Sequence, residues 1–153
     1  MKEYCSNLFH SIKNYKILIA IFYSFLLISS AILFLPIRFE ENDDVVMLLL
    51  ASGNYTGSFE SNLVFINPMY GSLVSMLYRF TTEVEWYSVL FVFFHLVSFS
   101  VIIHYLFSLK IKYKLKGSLV ILLSVIELNL VMYLQFTTVS ILLTIAGVIL
   151  LIL

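Results

Sequence analysis

Residues 17–37 run for 21 positions without one charged side chain. As a helix they would rise about 31 Å, close to the hydrocarbon thickness of a bilayer. Lipid offers a backbone no hydrogen bonds, and a helix satisfies its own. Three more apolar runs follow, at 86–107, 118–134 and 139–153. Composition agrees: 61% of the 153 residues are hydrophobic and 12% are charged, about half the charged share of a soluble domain. That balance excludes a disordered chain, a basic nucleic-acid binder and an ordinary cytosolic enzyme. Cys5 is the single cysteine, which excludes a disulfide framework and a Cys-rich metal site. The expected class is an all-α integral membrane protein, one membrane domain over 1–153 with about four transmembrane helices.

The formal net charge of zero conceals a segregated pattern. Residues 1–16 carry Lys2, Lys13 and Lys16 against Glu3, and residues 110–116 carry four lysines and no acid. Residues 38–85 hold Arg38 and Arg79 against seven acids, a net of −5. The positive-inside rule places 1–16 and 110–116 in the cytoplasm and the 38–85 loop outside. Two spans separate the basic segments, so the assignment is self-consistent. The 17–37 run is longer than a signal-peptide core of about 7–15 residues and lacks a small-residue cleavage pattern, so it reads as an uncleaved anchor. The last run has 15 residues, under the usual range of about 17–25, with no aromatic or basic anchor at its end. An N-terminal fragment of a longer protein is therefore expected, with a short last helix as the alternative.

The outer loop carries its own structure signals. Asn42 before Asp43 and Asp44 reads as a helix cap followed by acids at the positive end of the dipole. The apolar stretch 45–51 continues that helix to a stop at Gly53, and residues 53–58 form a turn-rich loop. Asn67-Pro68 opens a second helix, cap then first-turn proline. Met69, Leu73, Met76, Leu77 and Phe80 fall on one face of it. Thr82-Glu83-Val84-Glu85 has the form of a capping box for the span starting at Trp86. Trp86 and Tyr87 stand where an aromatic belt would hold them. Two external juxtamembrane helices are thus expected.

Asp43 and Asp44 are the candidates for chemistry. Adjacent helical residues point about 100° apart, so the pair would not share one proton. One carboxylate facing a substrate as base, the other orienting it or binding a cation, is the natural division. Acids at a helix N-terminus are also stabilised there by about 0.3–1 kcal/mol with no chemistry involved.

The order of these features resembles the GT-C superfamily of membrane glycosyltransferases. The matching residues are Glu40-Glu41-Asn42-Asp43-Asp44 with the apolar helix after them, the whole segment 43–57, and the stretch 63–68 leading into an amphipathic helix. The resemblance implies a GT-C-like N-terminal part, transferring a sugar from a polyprenyl-phosphate-linked donor to a cell-envelope acceptor on the outer face. It implies that Asp43 or Asp44 deprotonates or binds the acceptor, with Glu41, Tyr55, Asn67 and Tyr70 as candidate substrate-binding residues. A divalent cation is a candidate cofactor, and the implied partners are membrane lipid and the lipid-linked donor. The implied location is the cell membrane, a bacterial inner membrane. In that family the donor phosphates are usually held by basic residues of later loops, which this chain does not contain.

Glu127 lies inside the third span, where a central charge costs roughly 2.5–3.5 kcal/mol on insertion scales and marks a functional site by default. A protonated or hydrogen-bonded glutamate at a helix interface is the equally weighted alternative, with Asn129 and Gln135 as polar candidates nearby. His95 and His104 are nine residues apart on opposite faces of one helix, so they cannot chelate one metal. No metal site is expected. His95 could meet Glu127 across two antiparallel spans. Asn54-Tyr55-Thr56 matches the N-glycosylation sequon, and Tyr55, Tyr70 and Tyr78 are the loop's candidates for stacking on carbohydrate. Beside the glycosyltransferase stand other readings: a small membrane transporter, a non-catalytic subunit of a membrane complex using Glu127 and His95, or a non-functional truncation.

Overall fold

The computed structural model describes residues 2–152, with side chains from residue 15 onward. The side chains of residues 2–14, Lys2 and Lys13 of the basic N-terminal segment among them, lie outside the described residues. The architecture is helical throughout apart from two short strands. In order come α1 (Lys2–Phe34), β1 (Arg38–Phe39), α2 (Asn42–Ala51), α3 (Pro68–Phe80), α4 (Trp86–Ser108), α5 (Tyr113–Met132), β2 (Tyr133–Leu134) and α6 (Phe136–Ile152).

Among the described residues three helical stretches are, by length and composition, long and apolar enough to cross a membrane: Tyr15–Phe34, Trp86–Ser108 and Tyr113–Met132. α6 is apolar but has 17 residues, a rise of about 25 Å. It begins three residues before the expected 139, and α5 begins at Tyr113 rather than 118. Lys114 and Lys116 therefore belong to the first turns of α5 rather than to a free loop. The Lys116 ammonium donates to the carbonyls of Phe107 and Leu109 at 3.1 and 2.9 Å, a cation at the negative end of α4.

α4 is the central helix, packed by α1, α5, α6 and α3. β1 and β2 pair in parallel, Arg38 opposite Tyr133 and Phe39 opposite Leu134. The helices that lead into them, α1 and α5, therefore end on the same side of the bundle, with the 38–85 loop. The lysine turn between α4 and α5 lies at the other end. The Arg38 guanidinium donates to the Tyr133 hydroxyl at 3.1 Å and sits 4.7 Å from that ring's centre. Apolar side chains stay exposed along the outside of the bundle, Phe22 at 63% and Ile121 at 67% among them. Hydrocarbon is the solvent that suits such a surface.

The 38–85 segment folds down onto the bundle. Met47, Leu48 and Ala51 of α2 and Val74 and Tyr78 of α3 share one core with Tyr87 and Phe91 of α4 and Val139 of α6. α2 stops where the sequence places its stop: Gly53, at φ +76°, turns the chain. α3 starts as expected, the Asn67 side chain accepting from the Met69 N–H at 2.9 Å with Pro68 in the first turn. Two other caps differ. Glu41, not Asn42, occupies the cap of α2 and makes no side-chain cap bond. At α4 the expected Thr82 box does not form: Glu85 is the cap residue, and the Ser88 hydroxyl donates to its carboxylate at 2.8 Å.

The face of α3 also differs from expectation. Gly71, Val74, Ser75 and Tyr78 are buried, while Met69 (82%), Leu73, Met76 and Phe80 (78%) are exposed. The small residues win the inner face because the chain passes very close: a Cβ on Gly71 would collide with the Ser61 carbonyl. The apolar stripe is left outward at the rim of the bundle, a placement suited to a headgroup boundary. Gly71→Ala should therefore destabilise the fold by about 1–3 kcal/mol through overpacking. Gly117→Ala, in α5 with nothing within 4 Å, should be neutral or stabilise by up to about 1 kcal/mol. Thermal unfolding of both variants in detergent checks this; equal midpoints would mean the Ser61 contact yields freely.

Candidate functional site

The structure separates the acidic pair. Asp43 is exposed at the start of α2, and Asp44 is fully buried, as the 100° step between neighbours requires. One oxygen of Asp44, Oδ1, accepts from the Tyr87 hydroxyl at 2.8 Å and from the Phe136 backbone N–H at 3.3 Å. Asp44 lies in the first turn of α2, and Phe136 is the first residue of α6. The carboxyl thus stands at two helix N-termini, whose dipoles favour negative charge. Burial acts the other way and dominates, raising the Asp44 pKa above the ordinary carboxylate range. The Tyr87 and Phe136 hydrogen bonds lower it in part, and the nearby Asp43 and Glu41 charges raise it further. The second oxygen, Oδ2, has no hydrogen-bond partner among the described residues.

Tyr87 connects this carboxyl to the rest of the outer core. Its N–H donates to the Tyr78 hydroxyl at 3.3 Å, and its ring lies 4.5 Å from that of Phe91. It is buried completely, so the membrane-belt position expected for it is corrected: its hydroxyl is needed inside. Tyr78 is buried too, which removes it as a carbohydrate-stacking surface. Burial raises the Tyr78 phenol above its usual pKa.

Beside this network lies a cavity of about 210 Å³ among α3, α4 and α6, walled by Phe65, Asn67, Tyr70, Phe94, Phe136 and Ser140. The Phe65 and Phe136 rings stack across its rim with centroids 6.4 Å apart. Phe65 holds φ at +66°, a left-handed conformation that costs a non-glycine residue energy and often marks a functional wall. The Tyr70 hydroxyl is buried with no hydrogen-bond partner among the described residues. Burial, then the neighbouring Tyr78 and Asp44, push the Tyr70 pKa well up, so it remains a neutral donor. The cavity therefore combines aromatic walls with a hydroxyl donor at Tyr70, and Phe136, which lines it, is the residue whose N–H holds Asp44.

Of the candidate binding residues, the structure brings Asn67 and Tyr70 to this cavity. Glu41 is exposed beside Asp43. Tyr55, 68% exposed, lies past the far end of α2 in the turn-rich loop and away from both. Deeper in the bundle, His95 Nδ1 and Glu127 Oε1 meet at 2.9 Å, both side chains buried. His104 is buried on another face of the same helix, because α4 has neighbours all round. Among the described residues no three His, Cys, Asp or Glu side chains gather as a metal site.

Three participants escape the sequence. Tyr87 reads as a belt residue, Phe94 as lipid-facing bulk of the second span and Phe136 as part of the short polar break before the last span, because nothing local distinguishes a buried aromatic from an exposed one in so apolar a chain. The signal that was present is a tyrosine in the first turn of a span downstream of an orphan acid. No protein-family model, curated protein or solved structure matches the chain.

The raised Asp44 pKa has a consequence for stability. The folded state keeps this proton over a range where the unfolded chain has released it, so stability is lost as pH rises through the raised value. Asp44→Asn keeps an acceptor for Tyr87 and Phe136 and stays neutral. Thermal unfolding from about pH 4 to about pH 8 should show wild type losing stability relative to Asp44→Asn as pH rises. A difference that does not change with pH would assign Asp44 an ordinary, solvated carboxyl.

Proposed function

We propose that the chain forms the N-terminal part of a GT-C-like glycosyltransferase at the cell membrane. It would move a sugar from a polyprenyl-phosphate-linked donor to a cell-envelope acceptor on the outer face. The observation that carries this reading is the division of the acidic pair: Asp43 is exposed while Asp44 is locked to α4 and α6. A base must be reachable and must be held still, and here one acid supplies each requirement. In this reading Asp43 takes the proton of an acceptor hydroxyl as its oxygen bonds to the anomeric carbon. The bond from that carbon to the donor phosphate breaks, and the polyprenyl phosphate leaves with its electron pair. The aromatic cavity beside Tyr70 gives an apolar carrier a place to rest.

The orientation in this proposal has the N-terminus and the lysine turn in the cytoplasm and 38–85 outside. A single cysteine at Thr56, in a Cys5→Ser background, should react with a membrane-impermeant thiol reagent added to intact cells. One at Lys112 should not, and the reverse pattern would invert the topology. In the full-length gene product, Asp43→Asn should lower lipid-linked sugar consumption by about 10²–10⁴-fold, the range of a lost general base. Unchanged consumption would sink the enzyme assignment.

A further inference from the structure

We propose that the polar layer at mid-depth of the bundle is an occluded site for internal water and one exchangeable proton, held by His95 and Glu127. It stands apart from the glycosyltransferase reading and uses none of the outer residues. Apolar layers close the site at both ends. Towards the lysine turn, Ala20, Phe99 and Ile103 pack together with Leu123. Towards the outer loop, Ile28, Ala31 and Val131 pack together with Val92 and Leu128.

Between those layers three helices offer buried polar side chains: Ser24 from α1, His95 and Ser98 from α4, Ser124 and Glu127 from α5. Ser124 is satisfied, donating to the Val120 carbonyl and bonded to the Tyr23 hydroxyl. Glu127 meets His95 Nδ1. What remains is His95 Nε2 and the hydroxyls of Ser24 and Ser98, all buried and without a hydrogen-bond partner among the described residues.

The proton count on the pair decides what these atoms need. The other titratable groups of the helices around the layer are few. α1 has Tyr23 at this level and Tyr15 and Lys16 near the other end of its span. α4 has Tyr87, His104 and Tyr105; α5 has Tyr113, Lys114 and Lys116 in its first turns; α6 has none. Among the described residues His95 is therefore the one basic group beside Glu127. Net charge at this depth is disfavoured. A neutral imidazole hydrogenated at Nδ1 beside a carboxyl protonated at Oε2 would leave Nε2 bare, and the pair is assigned to the two neutral arrangements that keep a hydrogen there. Either protonated Glu127 donates to Nδ1, or an imidazolium donates to the carboxylate.

In both arrangements Nε2 carries a hydrogen and must donate. A buried donor left without an acceptor is rare in native structures. One water accepting from Nε2 and bonding Ser24 and Ser98 satisfies all three groups, the number of bonds a buried water typically makes. Ser98 lies one turn from His95, on the neighbouring surface of the same helix. Exchange then follows a balanced step. Nδ1 takes the proton of Glu127 Oε1, which gives carboxylate and imidazolium with no net change of charge. The Nε2 hydrogen passes to the water only as the water returns one of its own, so no hydronium is left in the layer.

Solid-state NMR of the full chain in lipid bilayers, with isotope-labelled histidine, tests this. The His95 signals, identified by their loss in His95→Gln, should show a hydrogen on Nε2 that receives magnetisation from water. An Nε2 without hydrogen, or an N–H that receives none, overturns the proposal. Ser98→Ala removes one of three partners of the water and should weaken that transfer by about threefold or more. Transfer at wild-type strength in this variant would also overturn it.

Discussion

The buried carboxyl of Asp44 is the constraint on which the outer half of the molecule depends. A carboxyl removed from water is disfavoured unless its oxygens are bonded. Here the bonding groups come from a tyrosine 43 residues away and a backbone N–H 92 residues away. Satisfying one side chain therefore requires α2, α4 and α6 to converge. Once they do, Phe136 and Tyr70 stand on either side of a cavity, and Asp43, one position earlier on the same helix, is turned to the surface.

A second polar contact, His95 with Glu127, ties α4 to α5 about 12 Å further down the same helix. Between lipid-embedded helices, packing and interhelical hydrogen bonds replace the hydrophobic drive that assembles soluble bundles. α4 carries an anchor at each depth, Tyr87 at its outer end and His95 within. That explains why the most central helix is also the one whose polar residues are buried rather than facing lipid. The Tyr23–Ser124 hydrogen bond at 2.6 Å adds a link between α1 and α5 at the inner level.

The parts of this structure legible in the sequence are those set by local chemistry. Asn67-Pro68 starts a helix because a cap side chain and a pre-set φ act within three residues. Gly53 ends one because it accepts a positive φ. Mid-span depth alone brought His95 and Glu127 into consideration as partners, since two antiparallel helices place equal depths side by side. The face of α3 was not legible: hydrophobic periodicity points to Met69, Leu73, Met76 and Phe80, but close passage of the chain at Ser61 admits only the side bearing Gly71. Membrane surroundings remove the penalty that would force such a stripe inward in water. The Thr82 cap does not form because α4 starts three residues later, with Glu85 itself as the cap residue and its carboxylate accepting from Ser88.

By itself, the sequence determined that apolar helices would dominate, that lysines would gather away from the acidic loop, and that an acidic pair would open a short helix in that loop. These follow from composition and from spacing along one turn. Only the tertiary structure decided which acid of the pair is buried, that α6 begins at Phe136 under the Asp44 carboxyl, and that Phe94 and Phe136 wall a cavity. Those outcomes rest on contacts between residues 40 to 90 positions apart. In a chain apolar on nearly every face, no local pattern marks which aromatic turns inward.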